Sequence, residues 1–128
     1  MKRWTSVLLL LFIVAVVSTS LAIGLTGNQS ALNGCKTGTA HTVTIQNNEV
    51  TGSHITGKRC DTLTIINKDN TTREIAFGLH EHHTPYDGVT ERVVGQNGSV
   101  TVTLNQTGNF RWHDHLDDSV QGYFTVTN

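Results

Sequence analysis

Apolar and polar residues alternate in short runs over most of this chain. His41, Val43 and Ile45 alternate with Thr42, Thr44 and Gln46, and Leu63 and Ile65 alternate with Thr62, Thr64 and Ile66. Val100, Val102 and Leu104 alternate with Ser99, Thr101 and Thr103, and Phe124 and Val126 with Tyr123, Thr125 and Thr127. Successive side chains of a strand point to opposite faces. A period of two with β-branched residues on the polar face therefore predicts half-buried strands. A further strand is expected over residues 74–79. Turn-forming residues separate the runs at Asn47-Asn48, Gly57-Lys58, Lys68-Asp69-Asn70, Asp87-Gly88, Gln96-Asn97-Gly98 and Thr107-Gly108-Asn109. Strands broken at such intervals predict an all-β antiparallel sandwich or barrel. No helical period is sustained after residue 26, and a short helical turn near Pro85 is the only candidate.

The N-terminus has a different pattern. Lys2 and Arg3 precede an unbroken apolar run from Val7 to Val17, and a weaker apolar stretch continues to Leu25. This is the form of a secretory signal or a signal-anchor. Trp4 to Leu25 is long enough to span a bilayer, while the Ser20-x-Ala22 step offers a cleavage site. Residues 1–25 are expected to be a signal peptide or signal-anchor helix, residues 26–40 a polar linker, and residues 41–128 the folded domain. The protein is then exported, either anchored in the cell membrane facing outward or periplasmic or secreted. The membrane is a partner only if the segment is uncleaved.

A formal charge of −1 without a basic patch argues against nucleic acid as a partner. Cys35 and Cys60 both follow the export signal, in a compartment that permits disulfides. One intrachain bridge is expected, with two thiolate metal ligands as the alternative. Asn28, Asn70, Asn97 and Asn105 open matches to the N-glycosylation pattern, which arise often by chance in a chain rich in Thr and Asn.

Five of the seven histidines fall in two groups, His80-Glu81-His82-His83 and His113-Asp114-His115. Residues i and i+2 of a strand share a face, so His113 and His115 can address one point. His80 and His83 follow the expected strand 74–79, where a loop can turn both rings to one centre. Imidazole suits zinc, copper, iron and nickel. The metal ligands expected are His80, His83, His113 and His115, with His82 in reserve. Glu81 and Asp114 should point away from the metal, where either can accept a ring N–H. His41 and His54 are expected to be ordinary surface or hydrogen-bonded residues.

The stretch from Gly57 to Asp69, reading GKRCDTLTIINKD, resembles a strand of the cupredoxin family. Gly108-Asn109-Phe110-Arg111-Trp112-His113-Asp114-His115, followed by Gly122-Tyr123-Phe124-Thr125-Val126, resembles that family's ligand loop between its last two strands. The resemblance covers roughly residues 41–128 and implies a cupredoxin-like Greek-key β-sandwich. In blue copper proteins a ligand His follows the Asn-x-Asp step, whereas Arg73 stands there in this chain. The blue-copper loop also carries Cys, His and usually Met, but this loop has no Cys and the chain's one Met is Met1. A blue site needs a thiolate, so the resemblance implies the fold without blue-copper electron transfer. The chain is most similar to a bacterial branch with His-Asp-His-Leu, here residues 113–116, and His-x-x-His before a Tyr, here His80, His83 and Tyr86. That branch often has Asn-Pro where Asp117-Asp118 stand.

The function expected is an exported protein that binds one copper ion, or alternatively zinc, through an all-histidine site. Scavenging, buffering or delivery of copper would be its role, with a protein partner that the sequence does not name. One alternative is a metalloenzyme with an open coordination position and Asp114, Glu81 or Asp117 as base. Nothing else in the chain forms a nucleophile–base pair, so an enzyme is the less expected outcome. A second alternative is an interaction domain with a degenerate site.

Overall fold

In a computed structural model, which describes Cys35 and residues 38–128, the alternating runs become strands. The expected signal or anchor segment 1–25 and residues 26–34 of the linker lie outside the described residues. Ten strands follow in order: β1 (Ala40–Gln46), β2 (Glu49–Thr51), β3 (His54–Lys58), β4 (Thr62–Asn67), β5 (Arg73–Leu79), β6 (His82–His83), β7 (Glu91–Val94), β8 (Ser99–Thr103), β9 (Gly108–Asp114) and β10 (Asp117–Thr127). Among the described residues there is no helix.

The strands form two sheets. One is four-stranded in the order β2-β1-β4-β8. The other is six-stranded in the order β3-β10-β9-β5-β6, with β7 also paired to β5. The chain crosses repeatedly between sheets, which makes β1–β4 and β3–β10 parallel while the remaining pairs are antiparallel. This is the expected all-β Greek-key sandwich, with two parallel pairs where antiparallel pairing was expected. Val43, Ile45, Leu63, Ile65, Val100 and Val102 line the inner face of the first sheet and are buried. Ile75, Phe77, Trp112, Phe124 and Val126 face them from the second. Burying one such side chain contributes about 1.5–3 kcal/mol, so these two rows are what hold the sheets together. Gly122 lies opposite Trp112 in the β9–β10 ladder, and a Cβ there would fall 2.6 Å from Trp112 Nε1. The glycine leaves room for the indole across the strand.

Three local expectations are corrected. Gly108 and Asn109 lie within β9, and the break they were expected to mark comes earlier, at residues 104–107. Gly57 and Lys58 belong to β3, and the turn comes later, where Cys60 takes a φ of 77°. Gly57 serves close packing, because a Cβ would meet Leu104 Cδ1 at 2.6 Å. Near Pro85 there is no helical turn. Asp87 and Gly88, at φ 49° and 76°, make a two-residue reversal closed by the Tyr86–Val89 bridge. Asp-Gly favours this left-handed pair of conformations. The Tyr86 ring then packs against Phe77, Phe110 and Phe124.

Cys35 and Cys60 form the expected disulfide, with Cα atoms 5.0 Å apart. It fastens the segment ahead of β1 to the turn after β3.

Candidate metal centre

Residues directly opposite in a ladder share a sheet face. Trp112 pairs with Phe77 and both enter the core. Their neighbours His113 and Ala76 must therefore lie on the other, outward face. The register extends this row to Glu91 on β7 and Gln121 on β10, giving Glu91–Ala76–His113–Gln121 across four strands. His113 is nonetheless 0% exposed. The β5–β6 hairpin folds back over this face and covers it.

Gly78 makes that fold-back possible. Its φ is 95°, and a Cβ would stand 2.5 Å from Thr84 N and 2.7 Å from His82 O. In the hairpin Gly78 pairs with His83 and Leu79 with His82. His83 therefore shares the face of Ala76 and His113, whereas His82 is turned the opposite way. His82 lines a groove of about 550 Å³ with Phe77, Leu79, Tyr86, Phe110 and Arg111. His80 sits in the hairpin turn. His115 follows β9, its N–H donating to Glu74 O at 2.7 Å.

Four imidazoles thus meet: His80, His83, His113 and His115. Adjacent ring centroids are 5.4 Å apart for His80–His113, 5.3 Å for His83–His113, 4.8 Å for His83–His115 and 4.6 Å for His80–His115. The His113–His115 diagonal is 6.2 Å. One nitrogen of each ring, His80 Nδ1, His83 Nε2, His113 Nε2 and His115 Nδ1, is closed to water and has no hydrogen-bond partner. Buried polar atoms are nearly always paired, so four orphans in one cluster require a common explanation. A metal ion held among them would supply it. With metal–nitrogen bonds of about 2.0 Å, ring centroids stand about 3 Å from the ion and opposite rings about 6 Å apart. The 6.2 Å diagonal fits that spacing. One ring nitrogen each of His80, His113 and His115 lies within 4.8 Å of the others, which exceeds by less than 1 Å the roughly 4 Å that two ligands of one ion allow. His83 lies outside this tighter group of three.

In two of the rings the other nitrogen is held from behind. His113 Nδ1 donates to Gly78 O at 3.1 Å, and His83 Nδ1 lies 3.3 Å from Glu91 Oε2. Such contacts select the tautomer that leaves Nε2 free, the orphaned atom in both rings. Asp118 Oδ1, which accepts from Arg111 at 3.1 Å, stands 4.0 Å from the unpartnered His80 Nδ1, beyond hydrogen-bond reach. Burial, the largest influence, lowers the pKa of His113 and so favours the neutral ring. Glu91, Asp118 and Gly78 were not singled out from the sequence. The β5–β7 register alone places Glu91 in the row of His113.

Asp114 points away from the cluster, as alternation expects, and is buried on the core side. Its Oδ2 accepts from Arg73 at 2.9 Å, and its Oδ1 accepts from the N–H of Glu74 at 2.9 Å and of Leu116 at 3.1 Å. Fully engaged, it is not placed to act as a base at the cluster. Glu81 is exposed in the hairpin turn. His54 is exposed, and His41 Nε2 contacts Asp61 Oδ2 at 2.9 Å, far along the chain from either histidine group.

No family model matches the sequence, and no curated protein does. Solved structures do match in fold. A reduced amicyanin variant aligns with a TM-score of 0.57 at 16% identity, covering 69% of this chain and 82% of that one. The Cu(I) form of another amicyanin variant aligns with a TM-score of 0.56 at 17% identity, covering 76% of this chain and 89% of that one. At such identities the likeness concerns the backbone alone, and with the two-sheet topology above it shows a cupredoxin-like fold.

Proposed function

We propose that this chain is an exported metal-binding protein that holds one copper ion through His80, His83, His113 and His115. Its role is to scavenge, buffer or deliver copper outside the membrane. The observation that carries this reading is the set of four water-excluded imidazole nitrogens, one from each ring, with no other partner. The amicyanin neighbour described in its Cu(I) form adds weight, since it pairs the same backbone with copper. Neutral nitrogen donors without sulfur favour Cu(II) or Zn(II) over Cu(I). The copper-bound form of a protein with a similar backbone favours copper of these two.

The protein's own residues act on the ligands. Gly78 O and Glu91 hold His113 and His83 in the tautomer that presents Nε2. The hairpin excludes water, so each donor meets the ion without displacing a hydrogen bond. Both cysteines are joined, so no thiolate competes.

Elemental analysis of the purified full chain tests the reading, followed by the spectrum of its copper form. The expected result is one copper per chain with weak visible absorption and nitrogen hyperfine structure in electron paramagnetic resonance. His80→Ala and His113→Ala should each weaken binding at least tenfold, whereas His41→Ala and His54→Ala should leave it unchanged. An intense thiolate-to-copper band, or unchanged affinity after loss of both His113 and His115, refutes the assignment.

A further inference from the structure

Arg73 begins β5 and is 4% exposed. A guanidinium is rarely buried this far without a dense set of acceptors. Arg73 has them. Its Nη1 donates to Asp114 Oδ2 at 2.9 Å, and its Nη2 donates to Asp69 Oδ2 at 2.6 Å and to Asn48 Oδ1. Asp69 also accepts the backbone N–H groups of Asn47 and Asn48. One side chain thus joins the β1–β2 turn, the β4–β5 turn, the start of β5 and the end of β9. Asp114, 1% exposed, is the link that faces the site. It stands between His113 and His115, and its three accepted hydrogen bonds fix the backbone on both sides of it. Alternation along β9 sends Asp114 to the core side and the two histidines to the outer face.

We infer that Arg73 is the positioning residue of the histidine centre, clamping Asp114 from the core side so that His113 and His115 face the same point. The inference rests on the copper-binding reading above and deepens it. No atom of Arg73 belongs to the ligand set, and its effect passes through the Asp114 backbone. Outer partners of metal ligands contribute about 10–100-fold in affinity, and a bidentate or forked guanidinium is poorly replaced by lysine.

The test uses the full chain with Arg73→Lys, which keeps the charge and loses the fork. Copper affinity is measured by competition with a chelator, and the Cu(II) resonance spectrum is recorded on the same samples. Affinity is expected to fall tenfold or more, with altered hyperfine parameters, while His82→Ala behaves as wild type. A folded Arg73→Lys chain with wild-type affinity and spectrum overturns the inference, whatever its melting temperature. If Arg73→Lys does not fold, the variant Arg73→Met with Asp69→Asn and Asp114→Asn leaves no buried charge and is judged by the same criterion. Nitrogen-15 spectra of the imidazoles in the metal-free chain separate the two readings. A wild-type chain that binds no copper refutes the proposed function only. In that case unchanged His113 and His115 ring signals in the Arg73 variant overturn the positioning role, and shifted or averaged signals support it.

Discussion

Gly78→Ala should damage the histidine cluster more than its size suggests. The added Cβ meets backbone on two sides, Thr84 N at 2.5 Å and His82 O at 2.7 Å, with Thr84 Cβ at 3.2 Å. None of these is a flexible side-chain end. A φ of 95° adds the left-handed penalty of an L residue, about 1–2 kcal/mol. Moving the strand to relieve the clash breaks the His113–Gly78 hydrogen bond, a net loss of about 1 kcal/mol. The total of about 2–3 kcal/mol corresponds to roughly 10–20 °C in Tm for a domain of this size. If the hairpin lifts locally, Tm falls less, and His80 and His83 leave the cluster instead. Copper affinity drops at least tenfold by either route. Gly88→Ala is the control, because its φ is 76° but nothing lies within 4 Å of its Cβ. It should lower Tm by the left-handed penalty and leave copper affinity unchanged. Thermal unfolding and chelator competition on both variants settle the matter. A Gly78→Ala chain with wild-type affinity and an intact His113 tautomer refutes the reasoning.

Three further outcomes are expected. Asp61 accepts the Lys58 N–H, the His41 ring and the Thr39 N–H, which together hold its carboxyl at about 2, below the roughly 3.9 of an unfolded chain. Its contribution to stability is complete above about pH 4 and disappears as pH falls toward 2; Asp61→Asn should flatten acid unfolding there, and superimposable curves contradict this. Glu91→Gln should weaken copper binding about tenfold while leaving Tm nearly unchanged, because the carboxylate is half-exposed and acts on His83 alone; equal affinity by competition would exclude that role. Reducing the Cys35–Cys60 bond, which closes a separation of 25 residues, should cost about 3.5 kcal/mol on the chain-entropy account, read as a lower denaturant midpoint.

The sandwich was legible because its core strands keep strict alternation. Leu63 and Ile65 are buried while Thr62 and Thr64 are not. The same rule placed His113 and His115 on one face and Asp114 on the other. What the sequence did not reveal depends on register. Whether His82 or His83 joins the cluster turns on one residue of slip in β6, a strand two residues long whose turn, His80-Glu81, has no Gly, Asn or Pro to mark it. Glu91 enters the His113 row only through β7, which lacks a buried stripe to betray it. Arg73 read as a missing ligand. Only the long-range contacts with Asp114 and Asp69, from separate strand ends, give it a place.

The Cys35–Cys60 bond also determines how mechanical load enters the domain. Tension on residues ahead of Cys35 does not first reach β1, whose parallel ladder with β4 would otherwise be stripped from its free end. It arrives at Cys60, where the neighbouring Arg59 N–H is bonded to Thr127 O at 2.8 Å and the Cys60 N–H to Leu104 O at 2.9 Å. That point lies at the far end of β10, the strand whose opposite end borders the histidines. A pull on the chain ahead of Cys35 is thus taken by the covalent staple, and the strain passes into β10 before the first strand bears any of it.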